Sequence, residues 1–298
     1  MIKRTMLLGS PMYVRTQLEQ LVIERDGVKS TRPIEDLGYV VVEHPQVKFS
    51  TPALQKLASS NVIVVFCGDN FMPNALLLPM DQHYTSGENT RAQVAAKLPL
   101  QKKLWKQTVK AKLRNQAHVL EQVGGNAEAL RRIARTVKSG DLGNAEAEGA
   151  RRYWQQVFKP YYTDFRRDRM QEGINQFLNY GYSILRSATA RALVGAGLHP
   201  TFGIFHHNKY NAFCLADDVM EPYRPCVDQV LISMLEDGFF LDGDIEVSHK
   251  KEMLSITQME VIQNGTRGAL MVALQRTAWS LSSCYLGEAK KINYPTLA

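Results

Sequence analysis

Cysteine is scarce and its spacing suits neither a metal ribbon nor a disulfide framework. The four thiols, Cys67, Cys214, Cys226 and Cys284, form no C-x-x-C pair, which argues for a reducing compartment and for buried or incidental thiols. Long apolar runs are missing too. The longest, 62–67, falls far short of the ~20 residues a membrane helix needs, and no basic-plus-apolar leader opens the chain. A cytoplasmic protein without membrane contact is expected. No fixed-period repeat or low-complexity tract occurs, nor any Ser-His-Asp, P-loop, Rossmann or zincin pattern. Gly195-Ala-Gly197 ends a helix and binds nothing by that fact alone. What is present is 298 residues, 45% hydrophobic and 22% charged, enough for one large or two medium domains with their own cores.

Charge is distributed unevenly. Residues 1–85 carry 8 basic and 8 acidic side chains, so the whole net charge of +7 belongs to residues 86–298. Within that part, 97–169 hold 17 basic against 7 acidic residues, a segment that would draw a polyanion. Solvated helix faces would also account for such a run.

The first 80 residues read as β-branched and aromatic runs at 5–8, 21–24, 39–43 and 62–67, with Asp26-Gly27 and Gly68-Asp69-Asn70 between runs. A helix over 52–58 is expected behind Ser50 and Thr51 as caps. Residues 85–89 read as a polar, glycine-containing hinge, after which strand signals disappear. Beyond it, Leu104, Trp105, Thr108, Val109, Lys112, Leu113 and Gln116 recur at helical steps. The series Ile174, Phe177, Leu178, Gly181, Ile184, Leu185 and Ala188 does the same. The expected fold is α+β: a small β-rich domain over 1–85, then a larger all-α domain over 86–298.

Three places gather chemistry-bearing side chains. Glu146 and Glu148 open a helix that also presents Arg151 and Arg152; acids in a first turn and an i,i+4 pair between Glu148 and Arg152 explain it structurally as well. Gly203-Ile-Phe-His-His207 sets two imidazoles after a turn, where each could ligate a metal or simply pack. In the stretch from Asp217 to Pro222, Asp218 and Glu221 stand three apart and could reach one cation, while Asp217 points elsewhere. A capping box would use the same two positions. Together, Glu146, a histidine, Asp218 and Glu221 make a hard, oxygen-rich donor set suited to Mn2+ or Mg2+ and poor in thiolate for zinc.

At these residues the sequence resembles the spacer-acquisition integrases of CRISPR systems, the Cas-one family. The matching stretches are Leu104-Trp105 with Lys112-Leu-Arg-Asn-Gln116, Glu146-Ala-x-x-Ala-Arg-x-Tyr153, Ile174-Asn-x-x-Leu-Asn-Tyr-Gly-Tyr182, Gly197-Leu-x-Pro-x-x-Gly-x-x-His206 and Leu215-Ala-x-Asp-x-Met-Glu-Pro-x-Arg-Pro225. Their order and spacing also fit. The resemblance implies a β-rich dimerisation domain and a helical catalytic domain with a divalent-metal site of Glu146, His206 and Glu221, Asp218 being a second acid. His207 has no counterpart in the matched motif. It further implies insertion of short DNA fragments into a repeat array, the 3′-hydroxyl of the fragment attacking a repeat phosphodiester. The basic segment, with Arg131, Arg132, Arg135, Arg151, Arg166 and Arg167, would hold double-stranded DNA by its phosphates. Implied partners are a second copy of the chain and a small ferredoxin-like Cas-two subunit. In its 208–222 stretch the chain looks closest to integrases of systems with one large effector nuclease, itself a further partner. Two other readings share these residues: a DNA-binding assembly subunit without chemistry, and a branched-DNA nuclease in repair.

Overall fold

Hydrophobic alternation in the first 80 residues resolves into two four-stranded sheets. The computed structural model describes residues 4–68, 72–79 and 84–298, which divide into two units, Met1–Tyr84 and Thr85–Ala298. In the first unit, strands β1 (Arg4–Leu8), β2 (Met12–Gln17), β3 (Gln20–Arg25), β4 (Val28–Pro33), β5 (Leu37–Val42) and β6 (Val47–Phe49) precede helix α1 (Thr51–Ser59), β7 (Ile63–Cys67) and β8 (Pro73–Leu77). One sheet has the order β1-β5-β7-β8, parallel except for β8; the other runs β4-β3-β2-β6. β5 is buried at all six positions, which is why it reads as an unbroken apolar run. Leu8, Val40, Val42 and Val64 of the first sheet share a core with Val14 and Leu21 of the second and with Ala53 and Leu57 of α1. Asp26 and Gly27, with φ of 51° and 76°, make the two-residue turn between β3 and β4, a left-handed pair that matches strand twist. Ser50 caps α1 by accepting a hydrogen bond from the Ala53 amide at 3.3 Å. Asp69 and Asn70, expected in a turn, lie outside the described residues.

The second unit is mostly helical. It contains α2 (Ser86–Val94), α3 (Leu98–Gln122), α4 (Ala127–Thr136), α5 (Ala145–Trp154), α6 (Ile174–Val194), α7 (Cys214–Met220), α8 (Arg224–Glu236) and α9 (Val247–Leu254). Then come β9 (Glu260–Gln263), β10 (Thr266–Ala269), α10 (Leu270–Tyr285) and β11 (Thr296–Leu297). The stripes read from the sequence are the buried faces: all seven marked positions of α3 and all seven of α6 are buried. α3 lies against α4, α5, α7 and α8, so side chains leaving one long helix reach several neighbours.

Two expectations change. Residues 86–89 are not a hinge but the first turn of α2, where buried Asn89 donates to the Ala196 carbonyl at 2.9 Å. Strands also do not end at residue 89. β9, β10 and β11 form a small sheet in the order β10-β9-β11, its hairpin turned by Asn264-Gly265. Among the described residues no helix is long and apolar enough to cross a membrane.

Candidate active site

The site grows from α3. Lys112 sits in the buried stripe of that helix, and a lysine there needs anions, because an unpaired buried charge is costly. It finds two. Its Nζ donates to Glu146 Oε1 of α5 at 2.6 Å and lies 2.7 Å from Glu221 Oε2, just after α7. Glu221 Oε2 is fully buried and has no directed hydrogen bond; its other oxygen lies 2.9 Å from Arg224 Nε. Burial alone would raise the Glu221 pKa, but Arg224 and Lys112 outweigh it and hold the carboxyl at about 2. For Lys112, burial works toward the neutral amine and the two glutamates prevail, so its pKa is raised.

α5 is placed by a cap the sequence does not advertise. Asp141 accepts the amides of Ala145 and Glu146, both at 2.9 Å, satisfying first-turn donors as a capping side chain does. Glu148 faces Arg152 at 3.0 Å on the exposed side.

His206 comes from a loop packed on α3. Trp105, 1% exposed, stacks on Phe205 with centroids 4.4 Å apart and meets the His206 ring edge-on at 5.8 Å. Gly203 permits the loop's tight path: a Cβ there would stand 2.2 Å from the His206 carbonyl oxygen and 3.0 Å from Asp218 Oδ2. Asp218 is wholly buried in α7. Its Oδ2 accepts the Phe205 and His206 amides at 2.7 and 3.3 Å, and its Oδ1 pairs with His206 Nδ1. The hydrogen bond that the His206 ring donates to Asp218 is the main cause of a raised His206 pKa. Asp218 and Glu221 do not form a capping box: one lies inside α7, the other follows it and opens a 3-10 turn. Asp217 turns away to Arg186, at 2.7 Å, and Asn211.

A cavity of about 340 Å3 is lined by Lys112, Glu146, His206, Glu221, Arg224 and Asp228, with Arg167 beside them. Asp228 of α8 accepts the Tyr153 hydroxyl at 2.7 Å and the Tyr182 hydroxyl at 2.6 Å. Arg224 and Arg167 lie over the Tyr182 ring, 4.8 and 5.6 Å from its centroid. Burial pushes the Asp228 pKa up to about 6, against the lowering effect of both hydroxyls and both arginines. With the folded value above the unfolded one, the stability Asp228 contributes is complete below the unfolded value near 4 and is lost as pH rises through 6, in all about 3 kcal/mol. Asp228→Asn carries no charge to bury. Its melting temperature relative to the parent chain should therefore rise by several degrees between pH 4 and 7.5, and a flat difference across that range would count against the buried ionisation.

The family model described as CRISPR associated protein Cas1 matches residues 6–264. The CRISPR-associated endonuclease Cas1 of Neisseria meningitidis serogroup C is 35% identical over 297 residues, covering 99% of this chain and 96% of that protein. This chain belongs to the Cas1 family. A Cas1 endonuclease of Thermus thermophilus is 35% identical over 213 residues, 67% of this chain and 65% of that one. Two solved structures share the fold: a casposase bound to integration product, with TM-score 0.81 at 20% identity over 97% of this chain and 92% of that one, and a Thermotoga maritima Cas1 protein, with TM-score 0.77 at 15% identity over 96% and 98%.

In this Cas1-family chain, Glu146, His206, Glu221 and Arg167 line one cavity, and Asp218 stands behind His206. The other basic residues singled out by sequence lie elsewhere: Arg131 pairs with Glu121 and Arg135 with Glu128, while Arg151 and Arg166 are exposed. His207 is exposed as well. Sequence reasoning gave no role to Lys112, Arg224, Asp228, Tyr153 or Tyr182. The available signal was a lysine inside an apolar stripe.

Proposed function

We propose that this Cas1-family chain is a divalent-metal-dependent DNA integrase that inserts short DNA fragments into a CRISPR repeat array. One arrangement carries the reading: Glu146 and Glu221 bring carboxylate oxygens to 2.6 and 2.7 Å of a single positive atom, Lys112 Nζ, in the cavity that His206 also lines. Two carboxylates from separate elements turned onto one cation suit a metal ion. Among the described residues, no three His, Cys, Asp or Glu side chains yet group closely enough to hold one; the ammonium stands between the two glutamates instead. The donor chemistry fits Mg2+ or Mn2+, with oxygen ligands, one imidazole and no thiolate. Asp218 on Nδ1 leaves Nε2 of His206 as the ligating nitrogen, the way carboxylates orient metal-binding histidines. Glu146, Glu221 and His206 would hold the ion, which supplies Lewis-acid polarisation of a phosphate and stabilises charge on a leaving oxygen.

The chain's own residues do the rest. Asp218 positions His206. Lys112 and Arg224 offset the charge of a phosphodiester brought into the cavity, and the Arg224 guanidinium lies over the Tyr182 ring. No serine or cysteine nucleophile is required, because the fragment's 3′-oxygen forms the new P–O bond. The bond to the repeat's 3′-oxygen breaks, and the attacking hydroxyl's proton passes through solvent to the released hydroxyl. Partners of this reading are double-stranded DNA, a second copy of the chain, the Cas2 subunit and an effector nuclease. Support comes from the casposase structure, which holds an integration product, and from a Cas6-RT-Cas1–Cas2 complex of the same fold, with TM-score 0.74 at 19% identity over 98% of this chain and 36% of that one.

The test is strand transfer from a labelled 3′-hydroxyl duplex into a repeat-containing duplex, with the Cas2 partner present. Joined product should form with Mn2+ or Mg2+ and vanish with EDTA. Absence of joining under both metals would overturn the reading.

A further inference from the structure

α3 has a second working face. At about 100° per residue, Lys103, Lys106, Lys110 and Arg114 fall in one band centred roughly opposite Lys112, so the helix turns them away from the catalytic cavity. Along the border between this face and the buried stripe the C-terminal segment is fastened by directed contacts. The Ile292 amide donates to Gln107 Oε1 at 2.9 Å, the Tyr294 and Thr108 hydroxyls are 2.9 Å apart, and Asn115 donates to the Pro295 carbonyl at 3.2 Å. The fastening brings Lys290 and Lys291 beside the helix. Between helix and segment lies a groove of about 670 Å3, lined by these six cations and by no Asp or Glu. None of the six forms an ion pair among the described residues. Arg131 and Arg135 on α4, by contrast, are each paired with a glutamate.

We propose that this groove is a second DNA site, which holds the phosphate backbone of a duplex away from the reacting phosphodiester. The four α3 cations extend over about 17 Å of helix, roughly one per turn, a stretch along which one strand of a duplex presents about five phosphates. Like charges collected without acids are unfavourable on their own: burial, with Lys106 and Arg114 nearby, lowers the pKa of Lys110. A polyanion relieves that repulsion. Duplex rather than single-stranded DNA follows from the lining. Single strands are held by aromatic faces on which bases stack, and the groove's one aromatic, Tyr294, is half-buried with its hydroxyl engaged by Thr108. The site deepens the integrase reading, which requires two DNA segments to be held at once, and it rests on that reading only for its purpose.

The experiment compares the full chain with Lys106→Ala/Lys110→Ala/Arg114→Ala and, from a separate element, Lys290→Ala/Lys291→Ala. Binding of a fluorescent 30-base-pair duplex is followed by anisotropy across a salt series, with melting temperature as the folding control. Each phosphate left without its cation should reduce the slope of log K against log salt by about 0.9, so the triple variant should lower the slope by roughly 2–3 and the double variant by roughly 1–2, on any duplex sequence. Joining should show a raised KM for DNA with kcat retained. Unchanged slopes and affinities in both variants overturn the groove, and so does a preference for single-stranded DNA that the variants abolish. Failure of the integrase reading looks different: the parent chain binds duplex with a steep salt dependence that the variants lose, yet joins nothing.

Discussion

Glu221→Gln should lose strand joining by three orders of magnitude or more, and it should also melt several degrees earlier. The first effect follows from replacing the more buried of the two glutamates proposed to hold the metal by a neutral amide of the same shape. The second follows from the surroundings: buried Lys112 and Arg224, whose side chain is 19% accessible, flank Glu221, and removing an anion shared by two such cations costs about 3 kcal/mol. Because lost stability could mimic lost chemistry, His206→Ala is the informative companion. Its side chain is 46% exposed and buried Asp218 keeps the Phe205 and His206 amides when the ring is lost, so the loss of stability should be smaller than for Glu221→Gln while joining disappears. Asp218→Asn should give intermediate activity, since Asn still accepts one hydrogen bond but no longer fixes the imidazole with a charge. DNA binding is the control for all three. Wild-type joining by both Glu221→Gln and His206→Ala would remove this site from the chemistry.

Glu146→Ala should be as inactive as Glu221→Gln, whereas Glu148→Ala, two residues on, should retain most joining. Glu146 reaches Lys112 in the cavity. Glu148 makes an exposed pair with Arg152, with side chains 45% and 43% accessible, worth about 0.3–0.5 kcal/mol. Rates of joining at saturating metal and DNA measure the contrast, and equal losses from the two substitutions would mean that α5 presents another face to the substrate.

Much of this was legible in the sequence because local signals and tertiary structure agree. The buried faces of α3 and α6 are the periodic positions, α1 begins at the serine that caps it, and β5 and β7 are the two most apolar runs. β4 was not legible, since a sequence of Val28-Lys-Ser-Thr-Arg-Pro33 has an exposed face almost throughout and pairs only through its tight turn to β3. The β9–β10 hairpin did carry a signal, Asn264-Gly265, but its strands are four residues each in a helical context. Glu146, His206 and Glu221, the proposed metal ligands, were picked out by family resemblance. Their partners were not, because Lys112 is 34 residues from one glutamate and 109 from the other. A lysine in the buried stripe of a helix signals that an anion must face it, but nothing local says which one. Asp141 caps α5 from four residues upstream across a turn in which Asn144 takes a left-handed φ of 52°, a path the sequence does not announce.

Tyr153, Tyr182 and Asp228 tie α5, α6 and α8 to one carboxylate, and this knot sets a rule about chain length. Glu146 and Tyr153 stand seven residues apart on α5, about two turns and nearly the same face. The hydroxyl anchors one end of that span while the glutamate faces the cavity at the other. A residue inserted between them would swing Glu146 by about 100° about the helix axis even with the anchor intact, whereas an insertion beyond Trp154 leaves both in register. The interval from 146 to 153 is thus a ruler that cannot be lengthened or shortened by one, although many of the side chains along it are free to change.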